Sequence, residues 1–116
     1  MPLEHQSAPG ALGPYSASVE AGGFVFLSGQ IGENRDTFAR ESLSVIEAVR
    51  RKLGRCGLGL EHVVSATVYL TDMSRYDEFN RVYREWMPAP YPARACVEVS
   101  ALPGDARIEM AVIAKR

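Results

Sequence analysis

Cysteine is scarce in this chain. Only Cys56 and Cys96 occur, far apart and without paired-Cys spacing, which excludes a disulfide framework and a four-thiolate zinc site. Long apolar runs are missing too: the longest, such as Phe24 to Leu27, fall far below the roughly 20 residues that a membrane-spanning helix needs. With no secretory or transit segment read at the start, these features predict a cytoplasmic, reducing setting and no membrane partner. No charge of one sign dominates. Thirteen basic and fourteen acidic side chains leave a formal net charge of −1, so no global field draws the chain to nucleic acid. The basic cluster Arg50-Arg51-Lys52 with Arg55 lies in a helix-like stretch and reads as a solvated face. His5 and His62 fall in an arm and a pre-strand turn without ligand spacing, so no metal is predicted. Gly57-Leu58-Gly59 has His62 where a dinucleotide fingerprint needs glycine, and no phosphate loop or Gly-x-Ser-x-Gly elbow occurs.

What is present reads as one domain over residues 1–116, since 116 residues at 47% hydrophobic content fill one core. Residues 1–14 hold Pro2, Pro9 and Pro14 and read as an extended arm. Tyr15 to Glu20 alternates, Ala21-Gly22-Gly23 can turn the chain, and Phe24 to Ser28 is apolar, together a hairpin. Asp36 is the expected N-cap of a helix running to about Arg55, with a stripe of Phe38, Leu43, Ile46, Val49 and Leu53. Arg40, Glu41, Ser44, Glu47 and Arg51 fill its polar face, Glu47 and Arg51 are spaced as an i,i+4 pair, and Gly57 can end it. Val63 to Leu70 alternates, with Val64, Ala66, Val68 and Leu70 on one face. Ser74 to Asp77 resembles a capping box, followed by Tyr76, Phe79, Tyr83 and Trp86 at helical spacing, a stripe that reads as core.

Two late strands follow. Each carries a charge set among apolar residues: Arg94 in Pro92 to Val99, where Glu98 follows near the end, and Glu109 in Ile108 to Ala114. Ions in such settings are paired, shift their proton affinity or serve a site, because desolvation costs several kcal/mol per ion. Ser100 to Ala106 is long enough for a hairpin loop, and if Val99 lies opposite Gly104 then Arg94 faces Glu109 across the ladder, with Cβ atoms about 5 Å apart. The expected fold class is α+β, a mostly antiparallel sheet with two helices on one face.

Several segments carry a family likeness: Gly13-Pro14-Tyr15-Ser16, Leu27-Ser28-Gly29-Gln30-Ile31, Thr67 to Met73, Phe79-Asn80 with Tyr83, Pro92 to Val99, and Ile108-Glu109. Their order resembles the Rid family of reactive-intermediate deaminases, also called YjgF, over nearly the whole chain. The resemblance implies a chorismate-mutase-like fold, a homotrimer with clefts between neighbouring subunits, and cofactor-free hydrolysis of 2-imino acids or enamines to 2-keto acids and ammonia. It further implies that Arg94 binds the substrate carboxylate, that Glu109 is the catalytic acid, and that Tyr15 and Asn80 line the pocket. The segments after Gly32 and after Trp86 are shorter than in the common archetype, which bears on substrate size.

These residue types suit that chemistry. A planar guanidinium grips a carboxylate through two parallel hydrogen bonds and fixes the neighbouring C2=N bond. A carboxylate nearby stabilises the iminium and orients or deprotonates water. Backbone N–H groups near Gly29 and Cys96 can receive the substrate carboxylate, while the Cys96 thiol reads as a small buried hydrophobe and Glu98 as facing solvent or a partner. Two other readings stand beside the leading one: a pathway-specific enamine hydrolase of the aminomuconate or aminoacrylate type, and a non-catalytic binder of small 2-keto acids. An RNA-cleaving role fits worst, for want of a basic, aromatic surface.

Overall fold

The structure, a computed structural model, describes residues 2–116. Within the expected arm a short strand, Glu4–Gln6 (β1), pairs antiparallel with Ser18–Ala21 (β2) as an exposed edge of the sheet. β2 and Phe24–Ile31 (β3) form the expected hairpin. Gly22 and Gly23 close it with φ of 57° and 82°, the two positive-φ positions that glycine adopts without strain.

Phe38–Gly54 (α1) begins one residue later than expected. Thr37, not Asp36, is its N-cap, accepting the Arg40 amide at 3.1 Å, because the Asp36 amide is held outside the helix by Asn34 Oδ1 at 3.2 Å. Gly57, expected to stop the helix, closes the turn just beyond it: its φ of 75° lets the Leu58 amide return to the Leu53 carbonyl at 3.0 Å. Phe38, Ile46, Val49 and Leu53 are buried, as are Val45 and Ala48, while Leu43 is only half-buried. Glu41, expected on the polar face, is fully buried. The Glu47–Arg51 pair does not form; Arg51 reaches Glu33 instead at 3.4 Å.

Val63–Leu70 (β4) follows. Val63 is buried and Val64 exposed, the reverse of the expected order, because the ladder slips between Val63 and Ser65. Such a bulge resets which face a residue meets. The Ser74 capping box does not form either: the Asp72 carboxylate accepts the Ser74 amide at 3.0 Å and starts a single 3₁₀ turn, Met73–Arg75, that leads into Tyr76–Trp86 (α2). Of the aromatic stripe, Phe79 and Tyr83 are buried and Tyr76 half-buried, whereas Trp86 lies outside the core at 50% exposure.

Ala93–Glu98 (β5) and Ile108–Lys115 (β6) complete a six-stranded sheet of order β1-β2-β3-β6-β4-β5. Residues of α1 and α2 share one apolar core with β3, β4 and β6, so both helices cover the same face. The fold class is α+β, as expected, and every strand pair is antiparallel except β4 with β5.

That exception overturns the expected register. β5 and β6 do not pair, since β4 lies between them: Arg94 aligns with Ala66, while Glu109 aligns with Tyr69 and Ile31. The cause is topological. β5 is reached from β4 through α2, and a strand returned by a helical crossover runs parallel to the strand it left. β6, whose Ile108, Met110, Val112 and Ala114 are all buried, suits the sheet's centre, and β5, with Ala93, Ala95 and Val97 exposed, suits its edge.

Candidate active site

Arg94 projects toward α2. Its guanidinium carbon lies 4.7 Å from the ring centroid of Tyr83, 5.6 Å from that of Tyr76 and 5.9 Å from that of Phe79, and Nη2 donates to the Tyr76 hydroxyl at 3.0 Å. Stacking on π faces and one hydrogen bond hold the cation without neutralising it. The aromatic stripe read as core is therefore also the seat of Arg94. Among the described residues no carboxylate pairs with Arg94. Asn80, Tyr83, Arg84, Tyr91, Pro92 and Arg94 line a cavity of about 270 Å³. In its wall the Tyr83 hydroxyl is buried without a hydrogen-bond partner among the described residues. Burial raises the Tyr83 proton affinity, and the neighbouring Arg94 charge opposes that rise.

Cys96 sits two residues on, half-buried against the core and outside that cavity. Burial pushes its thiol up, with Arg94 pulling the other way, so it stays protonated and apolar in character. Glu98 is exposed and its Oε1 accepts the Met73 amide at 2.7 Å, tying β5 to the start of α2.

Glu109 lies elsewhere. Its neighbours Ile108 and Met110 are fully buried under the helices, so by strand alternation its side chain stands on the sheet's other face. There it lies over β3 at Gly29, where a Cβ would come within 2.5 Å of Oε2 and 2.8 Å of Cδ. Glycine is what leaves room for the carboxylate. The β3–β6 ladder slips between Leu27 and Gln30, placing Ser28 and Gly29 in the irregularity. Leu12, Tyr15, Ser28, Gly29, Ile31, Pro103 and Glu109 line a second cavity of about 310 Å³. Burial raises the proton affinity of Glu109, and among the described residues it makes no ion pair or hydrogen bond to offset this.

The six predicted site residues thus divide. Tyr15, Gly29 and Glu109 come together, Asn80 and Arg94 come together on the opposite face, and Cys96 lines neither cavity. Among the described residues no cluster of three or more His, Cys, Asp or Glu side chains is placed to hold a metal, and no helix is long and apolar enough to cross a membrane.

One supporting pair escaped the sequence reading. Buried Glu41 accepts Arg107 Nε at 2.6 Å and the Arg107 amide at 2.8 Å. Arg107 Nη2 donates to the Arg35 carbonyl at 2.9 Å, and Arg35 in turn donates to the carbonyls of Gly32 and Gly104. This network clamps the segment before α1 to the segment before β6, two residues from Glu109. Helical phase held the signal: Glu41 precedes Val45 and Val49 by one and two turns, on the apolar side.

A two-helix α+β sheet domain with an uncompensated arginine in one cavity and a desolvated carboxylate in another is the class defined by fold and geometry. A family model described as Endoribonuclease L-PSP matches residues 5–116. The chain belongs to this family, known also as Rid or YjgF. It is 38% identical to the RutC family protein y4sK of Sinorhizobium fredii, covering 97% of this chain and 94% of that protein. Its fold matches the crystal structure of NMB1025 from Neisseria meningitidis, a YjgF family member, with a TM-score of 0.90 at 36% identity over 100% of this chain and 96% of that one. An Escherichia coli protein with the provisional name reactive intermediate deaminase TdcF is 36% identical over 98% of this chain and 95% of its own length. The TdcF crystal structure with bound serine superposes with a TM-score of 0.85, at 35% identity, over 98% of this chain and 97% of that one.

Proposed function

We propose that this chain hydrolyses reactive 2-imino acids and their enamine tautomers to 2-keto acids and ammonia, at sites formed between copies of the chain in a homotrimer. The observation that carries the reading is the pair of cavities on opposite sheet faces, one lined by unneutralised arginine and the other by an unneutralised carboxylate. Neither alone binds a zwitterion. Joined across an interface, Arg94 and Asn80 of one copy face Tyr15, Gly29 and Glu109 of the next. The open sheet face supplies apolar surface for that contact: Phe24, Phe26 and Val64 are 40%, 46% and 43% exposed, more than an isolated small domain gains by showing to water. The serine bound in TdcF is a small amino acid with the carboxylate that Arg94 is suited to hold.

In this reading Arg94 grips the C1 carboxylate bidentately, its ring seat fixing the guanidinium plane and so the C2=N bond. Glu109 faces the iminium. A desolvated carboxylate of raised proton affinity is suited to take a proton from water as the oxygen attacks C2. The same proton passes to the nitrogen of the carbinolamine, the C–N bond breaks, ammonia leaves, and the hydroxyl proton is lost as the C2 carbonyl forms. Water is the co-substrate. A net charge of −1 favours this small-molecule chemistry over the RNA cleavage in the family's descriptive name.

The test couples a threonine dehydratase to the chain and follows keto-acid release above the spontaneous rate for wild type, Arg94→Ala and Glu109→Gln. Losses of about 100-fold in both variants are expected, the range for removing one charge-stabilising or proton-transfer group. Equal rates in all three overturn the assignment.

A further inference from the structure

We propose that Arg84 makes the site selective for imino acids that carry a second carboxylate, Arg94 holding the group at C1 and Arg84 the one on the side chain. The inference rests on the reading of Arg94 as the carboxylate clamp, and it names the substrate class.

The cavity around Arg94 is lined by two cations and no carboxylate. Five other arginines, Arg40, Arg51, Arg75, Arg107 and Arg116, have acidic partners. Among the described residues Arg84 and Arg94 have none, as is also true of Arg35, Arg50, Arg55 and Arg81, but of these six it is Arg84 and Arg94 that line this cavity. Positions 80, 83 and 84 share one face of α2 by helical spacing, so Asn80 and Arg84 form one wall. That wall is braced. The Tyr91 hydroxyl donates to the Arg84 carbonyl at 3.1 Å, and the Tyr91 ring lies 6.2 Å from that of Tyr83.

Charge complementarity then selects the ligand. The cavity on the other face contributes the single carboxylate of Glu109, so the joined site presents two positive charges and one negative. A monocarboxylic iminium matches Arg94 and Glu109 and leaves Arg84 without a partner. A dicarboxylic iminium, negative at both ends and positive at C2, matches all three. At about 270 Å³ the cavity is on the scale of a small-ligand site, and Arg84 and Arg94 both line it.

The experiment generates imines in situ with amino-acid oxidases, using glutamate or aspartate for the dicarboxylic class and leucine or methionine for the monocarboxylic class. Turnover is followed by loss of semicarbazide-trappable imine. The readout is the ratio of kcat/KM, dicarboxylic over monocarboxylic, in wild type, Arg84→Ala, Arg84→Glu and the exposed control Arg81→Ala. A wild-type ratio above one that falls about tenfold in Arg84→Ala, falls further in Arg84→Glu and holds in Arg81→Ala is expected for one solvent-accessible ion pair. A ratio below one, or one that Arg84→Glu does not lower, overturns the inference while leaving imine hydrolysis standing. If no imine is turned over, hydrolysis falls, and calorimetric titration with 2-oxoglutarate against 2-oxobutanoate decides the selectivity: tighter wild-type binding of the diacid, lost in Arg84→Glu, supports it, and equal binding overturns it.

Discussion

At the scale of single residues, the site depends on charges that the fold declines to neutralise. Arg94 is held by three aromatic rings and one hydroxyl instead of a carboxylate, which leaves its charge unneutralised. The hydroxyl of Tyr83 is left over from that arrangement, buried and unpartnered among the described residues. An unmet buried polar group costs roughly 1–3 kcal/mol, so Tyr83→Phe is expected to raise stability by about 1 kcal/mol, or about 4–8 °C in Tm for a domain near this size. Scanning calorimetry at matched protein concentration checks this, and a lower Tm would show that the hydroxyl has a partner in the assembled protein. Glu109 is the converse case, a carboxylate whose proton affinity burial raises. The folded chain then binds that proton more tightly than the unfolded one. Its contribution to stability is complete below the ordinary glutamate range and is lost as pH rises through the raised folded value. Glu109→Gln removes the titration, so the variant is expected to gain on wild type between about pH 4 and about pH 8. Urea midpoints at the two pH values measure it, and a variant that loses ground to wild type as pH rises contradicts the desolvation argument.

At the scale of elements, α1 does more than cover the sheet. Its buried Glu41 receives both the amide and Nε of Arg107, so the helix fixes where β6 begins and hence where Glu109 stands. Removing one partner of a buried ion pair typically costs 3–5 kcal/mol. With the Arg107 side chain 34% exposed, Glu41→Ala is expected near the lower end, about 3 kcal/mol by urea unfolding, and Glu41→Gln, which keeps an acceptor for the amide, markedly less. Equal costs for the two variants would assign the whole loss to the charge and none of it to the hydrogen bond that glutamine retains. The elements show what one sequence reveals and what it withholds. Alternation in Val63 to Leu70, the 3.6-residue stripe from Phe38 to Leu53 and the Gly22-Gly23 turn are local signals, and the strands and helices they predict are present. The order of strands in the sheet is not local. Periodicity states that the segments holding Arg94 and Glu109 are strands, yet nothing in it says that β4 separates them, and the hairpin assumption failed there. A local signal also failed where a neighbour intervened, since the bulge at Val64 belongs to its pairing with β6; for Glu41 the helical phase was legible, and what it withheld was the partner, an arginine 66 positions away.

At the scale of the whole molecule, the failed register becomes informative. Had Arg94 and Glu109 been cross-strand neighbours, one chain would contain a complete site, and the two charges would neutralise each other in the absence of ligand. On opposite faces of the sheet they cannot do so within one chain, and both stay uncompensated. Heterologous contacts in a closed ring, where one face of each copy meets the other face of the next, unite such halves at every interface. Subunit mixing tests this arrangement. Arg94→Ala alone lacks every cationic half, Glu109→Gln alone lacks every acidic half, and each homogeneous assembly should be inactive. In an equal mixture, unfolded and refolded together, an interface works only when the copy offering Arg94 and the copy offering Glu109 are both intact at those positions. Each condition holds for half the copies, so random assembly is expected to restore about a quarter of the wild-type rate, whatever the ring size. Assayed with the coupled dehydratase, recovery near that fraction is evidence for sites shared between copies. If the mixture stays as inactive as either variant after confirmed subunit exchange, the two charges do not meet across an interface, and the shared site is excluded.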